Sequence, residues 1–156
     1  MINTLSILIP TYNNVCIELV RSLQAQASLL ASSGNSPADS SVSSSGNSSG
    51  IFKYEILVAD DGSTDKATIE GNRLINTLPH CRYIEREKNV GRSAIRNFLA
   101  KEAQYPWLLF IDSDLHIDNP LFIENYSQAA GDVVVGGLKI GGNPCQWAHN
   151  LRYRYE

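Results

Sequence analysis

The chain has no excess of positive charge, no apolar run long enough to cross a bilayer, and no pair of cysteines spaced to hold a metal. Each absence closes off a class of function. Thirteen Lys and Arg against sixteen Asp and Glu leave a formal net charge of −3. Without a basic field, neither nucleic acid nor an anionic membrane is an expected partner. Any phosphate-bearing ligand must then be held by local groups or by a cation. No apolar stretch approaches the ~18 residues that a spanning helix needs. The opening MINTLSILIP lacks a basic segment and meets Pro10 too soon for a signal peptide. The three cysteines, Cys16, Cys81 and Cys145, are odd in number, far apart and form no CxxC pair. They read as reduced thiols of a soluble, cytoplasmic protein. What remains is ordinary: 156 residues, 43% apolar and 19% charged, enough for a single domain over residues 1–156.

Apolar runs and helical periodicity alternate along the chain. LSILIP (residues 5–10) reads as a buried strand closed by proline. The next segment carries Val15, Leu19, Leu23, Ala27 and Leu30 at steps of three or four, one face of a helix. Ten of the twenty residues from 31 to 50 are serine, so that stretch is expected to be a flexible surface loop. A second strand, Glu55 to Ala59, leads through Asp60, Asp61 and Gly62 to a helix capped by Ser63, Thr64 or Asp65 and running to about Leu78. CRYIERE is a short third strand, and NVGRSAIRNFLAKEAQ a helix with Ile95, Phe98, Leu99 and Ala103 on one face. PWLLFID is the fourth strand. Asn119 and Pro120 open a helix through about Gln128, and DVVVGG is a fifth strand. Strands alternating with helices predict a Rossmann-like, open and mostly parallel α/β sheet with helices on both faces.

Such a sheet binds ligands beyond the carboxyl ends of its strands. Three of those ends carry the most polar clusters: Pro10-Thr11-Tyr12-Asn13, Asp60-Asp61 and Asp112-Ser113-Asp114. Asp112 and Asp114 can point to one side of an extended segment, where two carboxylates repel unless a cation intervenes. A hard divalent ion, Mg²⁺ or Mn²⁺, would satisfy them and keep open positions for phosphate oxygens. They can equally serve as loop or helix caps. Asp60 and Asp61 can accept from a ribose hydroxyl or a base N–H, or cap the next helix. Thr11, Tyr12 and Asn13 offer hydroxyls, an amide and an aromatic face suited to a base, or form a simple turn. Arg92 and Arg96, one helical turn apart beside Gly91, can meet phosphate or lie on a solvated face.

Together, SILIPTYNN, EILVADDGSTD, KNVGRSAIRN and LLFIDSDL resemble glycosyltransferase family 2, the GT-A nucleotide-sugar transferases. The blocks stand in the family's order over roughly residues 4–118, with the serine-rich loop inserted between the first two. The resemblance implies that Thr11, Tyr12 and Asn13, with Asp60 and Asp61, line the base and ribose. It places Asn89, Gly91, Arg96 and Asn97 beside the diphosphate and sugar. It makes Asp112 and Asp114 the family's DxD, binding Mn²⁺ or Mg²⁺ across the diphosphate. Pro10, Arg92 and Ser113 complete the expected donor-binding set. The implied activity is transfer of a sugar, with inversion, from a nucleotide-diphosphate sugar, expected to be a UDP-sugar. The acceptor would be a hydroxyl of a glycan or lipid-linked molecule in polysaccharide assembly.

One departure bears on catalysis. Inverting members use a carboxylate well beyond the DxD as general base. Here 42 residues follow Asp114, with Asp118, Glu124, Asp132 and Glu156 as their acids, none in a motif like the family's. GGLKIGG and LRYRYE look like the start of an acceptor-side region. The expectation is therefore a donor-binding part without its catalytic base, whose uncovered apolar surface would favour self-association. Two rivals are weaker. A receiver-type phospho-signalling domain closes its first strand with the acidic pair, whereas here a strand and a helix precede it. A haloacid-dehalogenase-like phosphatase carries its DxD on the first strand rather than the fourth.

Overall fold

The computed structural model describes residues 2–33 and 51–136. Strand β1 (Thr4–Thr11) pairs in parallel with β2 (Lys53–Asp60) along its whole length, from Thr4 opposite Lys53 to Thr11 opposite Asp60. Strand β3 (Cys81–Glu85) extends the sheet beside β2, and β4 (Leu108–Phe110) pairs with the other edge of β1. The spatial order is β3-β2-β1-β4, all parallel.

Pleating divides the strands between two cores. Leu5, Ile7 and Ile9 of β1 and Tyr54, Ile56 and Val58 of β2 pack with Val20, Leu23 and Ala27 of helix α1 (Ile17–Ser33) and with Ile123 of α4 (Phe122–Ser127). The alternate residues Leu8, Leu57 and Ala59 pack with Ile95 and Leu99 of α3 (Arg92–Glu102). Burial on both faces is why β1 and β2 read as near-continuous apolar runs. One polar pair is buried here, Ser6 with Glu55. Ser6 Oγ donates to Glu55 Oε1 at 2.6 Å, and the same oxygen accepts from Gln104 N at 2.5 Å. Tyr105 N donates to Ser6 Oγ at 3.1 Å, so this pair fastens the turn that delivers the chain into β4.

Several expectations need correction. α1 begins at Ile17, so Val15 lies ahead of the helix and is exposed, while Ile17 and Val20 join the buried face. The helix continues to Ser33, three residues into the stretch expected to be a loop; Ser32 and Ser33 donate back to the carbonyls of Ser28 and Leu29. The rest of that stretch, 34–50, lies outside the described residues. Helix α2 (Lys66–Arg73) is capped by Asp65 and tightens into a 3₁₀ turn, Leu74–Thr77, rather than remaining α-helical to Leu78. Asn119 is not the cap of α4: its carbonyl and Oδ1 accept from Phe122 N and Leu121 N, a turn that delays the helix by two residues. Residues 132–136 of the expected fifth strand form none, and Val133 and Val135 are 84% and 88% exposed. An apolar β-branched run becomes a strand only where another strand supplies hydrogen-bond partners. No helix among the described residues is long and apolar enough to cross a membrane.

Candidate functional site

The chain runs outward from β1 to β2 and β3, then returns through α3 to the opposite side of β1. The crevice beyond the carboxyl ends of β1 and β4 is thus the point where the winding reverses, the general ligand position in open α/β sheets. A cleft of about 510 Å³ occupies it. It is lined by Pro10, Thr11, Tyr12 and Asn14 after β1, Asp61 after β2, Asn89, Gly91, Arg92, Ile95 and Arg96 at the start of α3, and Asp112, Ser113 and Asp114 after β4.

Side-chain amides hold the three loops together. Asn13, at φ 48°, accepts at Oδ1 from Thr64 N (2.9 Å) and Asp65 N (3.1 Å), and its own N–H donates to Ser63 Oγ at 2.7 Å. Asn14 Nδ2 donates to Ser113 O at 2.8 Å, joining the β1 loop to the β4 loop. Its carbonyl accepts from Thr11 Oγ1 and from Nδ2 of the fully buried Asn72. The left-handed conformation of Asn13 is one that asparagine adopts more readily than most residues.

The two adjacent aspartates do different work. Asp60 turns inward, accepting from Ser63 N at 2.7 Å and from the Tyr83 hydroxyl at 2.5 Å, and does not line the cleft. Burial, and then that bond to Asp60, push the Tyr83 hydroxyl far above its usual range. Burial, followed by the Asp60 charge, also raises the Cys16 thiol to about 12. Asp61 faces the cleft and accepts from Val90 N and Gly91 N, each at 2.9 Å, one oxygen apiece. Gly62 makes this possible. At φ +76° it takes a conformation glycine favours, and an added Cβ would stand 2.6 Å from the backbone of Lys88 and Asn89. The β2 loop therefore fixes the loop that starts α3.

α3 opens at Gly91 (φ 91°) with no side-chain cap, leaving the first N–H groups of an eleven-residue helix beside the cleft. Uncapped N–H groups and the helix dipole favour an anion there. Arg92 and Arg96 share that face, and both reach Asp112: Arg96 Nη2 pairs with its Oδ1, and Arg92 Nη2 stands 3.7 Å from its Oδ2. Asn97, the next residue round the helix, is exposed and does not line the cleft. Asn13 is likewise outside the lining, acting through the loops it ties.

Of the residues singled out in the sequence, the structure brings Pro10, Thr11, Tyr12, Asp61, Asn89, Gly91, Arg92, Arg96, Asp112, Ser113 and Asp114 to one cleft and leaves Asn13, Asp60 and Asn97 beside it. Asn14, Ile95 and the bracing Asn72 were not anticipated. The tandem asparagines after Tyr12 gave a signal for Asn14, while nothing in the pattern around Asn72 marked it. Among the described residues no group of three or more His, Cys, Asp or Glu is arranged to hold a metal ion. Asp112 and Asp114 both line the cleft and are the residues that could hold a hard divalent ion, which commonly takes one or two carboxylates and completes its shell with phosphate oxygens and water.

Parallel strand order with a switch-point cleft is the open α/β architecture of the GT-A kind, and the chain belongs to glycosyl transferase family 2, whose family model matches residues 6–155. It is 31% identical over 130 residues to a chondroitin synthase from Escherichia coli, covering 82% of this chain and 16% of that protein. It also matches the crystal structure of S. aureus TarS 1-349 in complex with UDP-GlcNAc, with a TM-score of 0.53 and 27% identity, over 80% of this chain and 30% of that one. The chain therefore spans less than a third of the length of either relative.

Proposed function

We propose that this chain is the donor-binding part of a metal-dependent glycosyltransferase. In this reading it transfers a sugar from a UDP-sugar to a hydroxyl of a glycan or lipid-linked acceptor, with inversion, in polysaccharide assembly. The observation that carries the reading is the convergence of three strand ends and an uncapped helix N-terminus on one cleft. The TarS structure, solved with UDP-GlcNAc, supports the same donor class, and the similarity to a chondroitin synthase supports the glycan side of the reading.

Each part of the cleft has a task in this reading. Tyr12, half-exposed at the rim, offers its ring face to the base. Asp61 holds Val90 and Gly91 so that the first N–H groups of α3 face the diphosphate. Arg92 and Arg96 add guanidinium donors for phosphate oxygens. Asp112 and Asp114 would hold the Mn²⁺ or Mg²⁺, which when bound supplies positive charge against the leaving diphosphate.

A second reading has one observation in its favour. The acids lining the cleft are Asp61, Asp112 and Asp114; the first is consumed by backbone N–H groups, and the other two would be taken up by the metal. Among the described residues no further carboxylate stands at the cleft to deprotonate an acceptor. The chain would then bind donor and need a base from elsewhere to turn it over.

Thermal shift with UDP, GDP and dTDP, each with Mn²⁺, tests the donor class. Stabilisation by UDP above the other two supports the reading; equal or absent shifts contradict it. Trp107, Leu108 and Phe110 are exposed at the β4 edge and favour self-association. Sedimentation velocity should then show a concentration-dependent rise in mass, and a strict monomer would refute that part.

A further inference from the structure

Asp112 already has a cationic partner. Arg96 Nη2 holds one carboxylate oxygen, and Arg92 Nη2 faces the other at 3.7 Å. Both guanidiniums project from one face of α3, four residues apart, into the cleft that Asp114 also lines. Arg92 is 80% exposed and only grazes the carboxylate; Arg96, at 32%, is the closer and more enclosed partner.

A divalent cation and a guanidinium cannot share that carboxylate at low cost, because the two positive charges would stand a few ångströms apart. Nor would Arg96 keep its pairing once a diphosphate lay against α3, since phosphate offers it the same fork geometry with more charge. We infer that Arg96 is a place-holder for the cation: it pairs with Asp112 while the site is empty and passes to the diphosphate when nucleotide and metal arrive together. The exchange leaves both Asp112 and Arg96 with a partner at either stage. Arg96 is a positioning residue here, and the inference rests on the donor-site reading above. It has a consequence a fixed phosphate clamp would lack: metal alone binds weakly, and metal and nucleotide each strengthen the other's binding.

The test measures Mn²⁺ alone by water-proton relaxation, and UDP at saturating Mn²⁺ by calorimetry, for wild type, Arg96→Gln and Arg96→Lys. Arg96→Gln should bind Mn²⁺ alone about threefold more tightly, since the competing partner is gone, and UDP with Mn²⁺ about tenfold more weakly. Arg96→Lys, which keeps the charge, should stay within about twofold of wild type for Mn²⁺ alone. Opposite signs for the two ligands exclude simple loss of structure, which would weaken both. Arg96→Gln that leaves Mn²⁺ binding unchanged, or weakens it, overturns the exchange while wild-type UDP binding leaves the donor site standing. A wild type that binds no UDP with Mn²⁺ overturns the donor-site reading and the exchange with it.

Discussion

Gly62 shows how much of the site is settled by single residues. Its positive φ and the 2.6 Å approach to the loop before α3 leave no room for a side chain. Gly62→Ala should cost about 2–4 kcal/mol in urea unfolding, from left-handed strain plus a backbone displacement. A loss within ~0.5 kcal/mol would mean the two loops do not meet. Tyr83→Phe removes the donor to one oxygen of a buried carboxylate and should cost about 1–3 kcal/mol by the same measurement. The sequence showed Asp60 and Asp61 as an acidic pair at a strand end but could not divide their roles. Which carboxylate turns inward depends on Tyr83, from the neighbouring strand, and on N–H groups nearly thirty residues away.

At the scale of elements, four strands and the helices between them were legible because their buried faces are patterned at periods of two and 3.6. Boundaries were less so. Val15 continues the apolar ladder of α1 in spacing but precedes its first turn, so it never joins the buried stripe. The contrast is measurable: Leu23→Ala, at a fully buried position, should lose about 2–5 kcal/mol, whereas Val15→Ala should stay within about 0.5 kcal/mol. Comparable losses at both sites would restore the earlier phase of the helix. Local sequence also could not reveal that DVVV forms no strand among the described residues, since pairing is a property of its neighbours. The reading of NVGRSAIRNFLAKEAQ as one helix placed Gly91 inside it, whereas α3 opens at Arg92 and runs to Glu102, and the lack of a side-chain cap at Gly91 emerged only from the fold.

For the whole molecule, the titrating groups bound the pH range of stability on both sides. Hydrogen bonding to Arg73 holds Glu85 below its ordinary value, and bonds from Thr68 hold Asp65 below its own. Their contributions are present above the ordinary carboxylate range and fade as pH falls through it. Burial instead raises Cys16 and Cys81 from 9.0 to about 12. Their contribution is complete below pH 9 and is lost as pH rises toward 12, because the unfolded chain releases those protons first. The melting temperature should therefore fall on both flanks, and Cys81→Ser should flatten the alkaline one. An unchanged alkaline slope in that variant would remove Cys81 from the account.

The central claim is that the cleft beyond β1 and β4 binds a nucleotide-sugar donor through a metal held by Asp112 and Asp114. Calorimetric titration of UDP with and without Mn²⁺, into the wild type and the Asp112→Asn, Asp114→Asn double variant, tests it most directly. The account predicts binding that depends on Mn²⁺ and disappears in the variant. Absence of binding by a folded wild type, or equal binding by the folded variant, would contradict it.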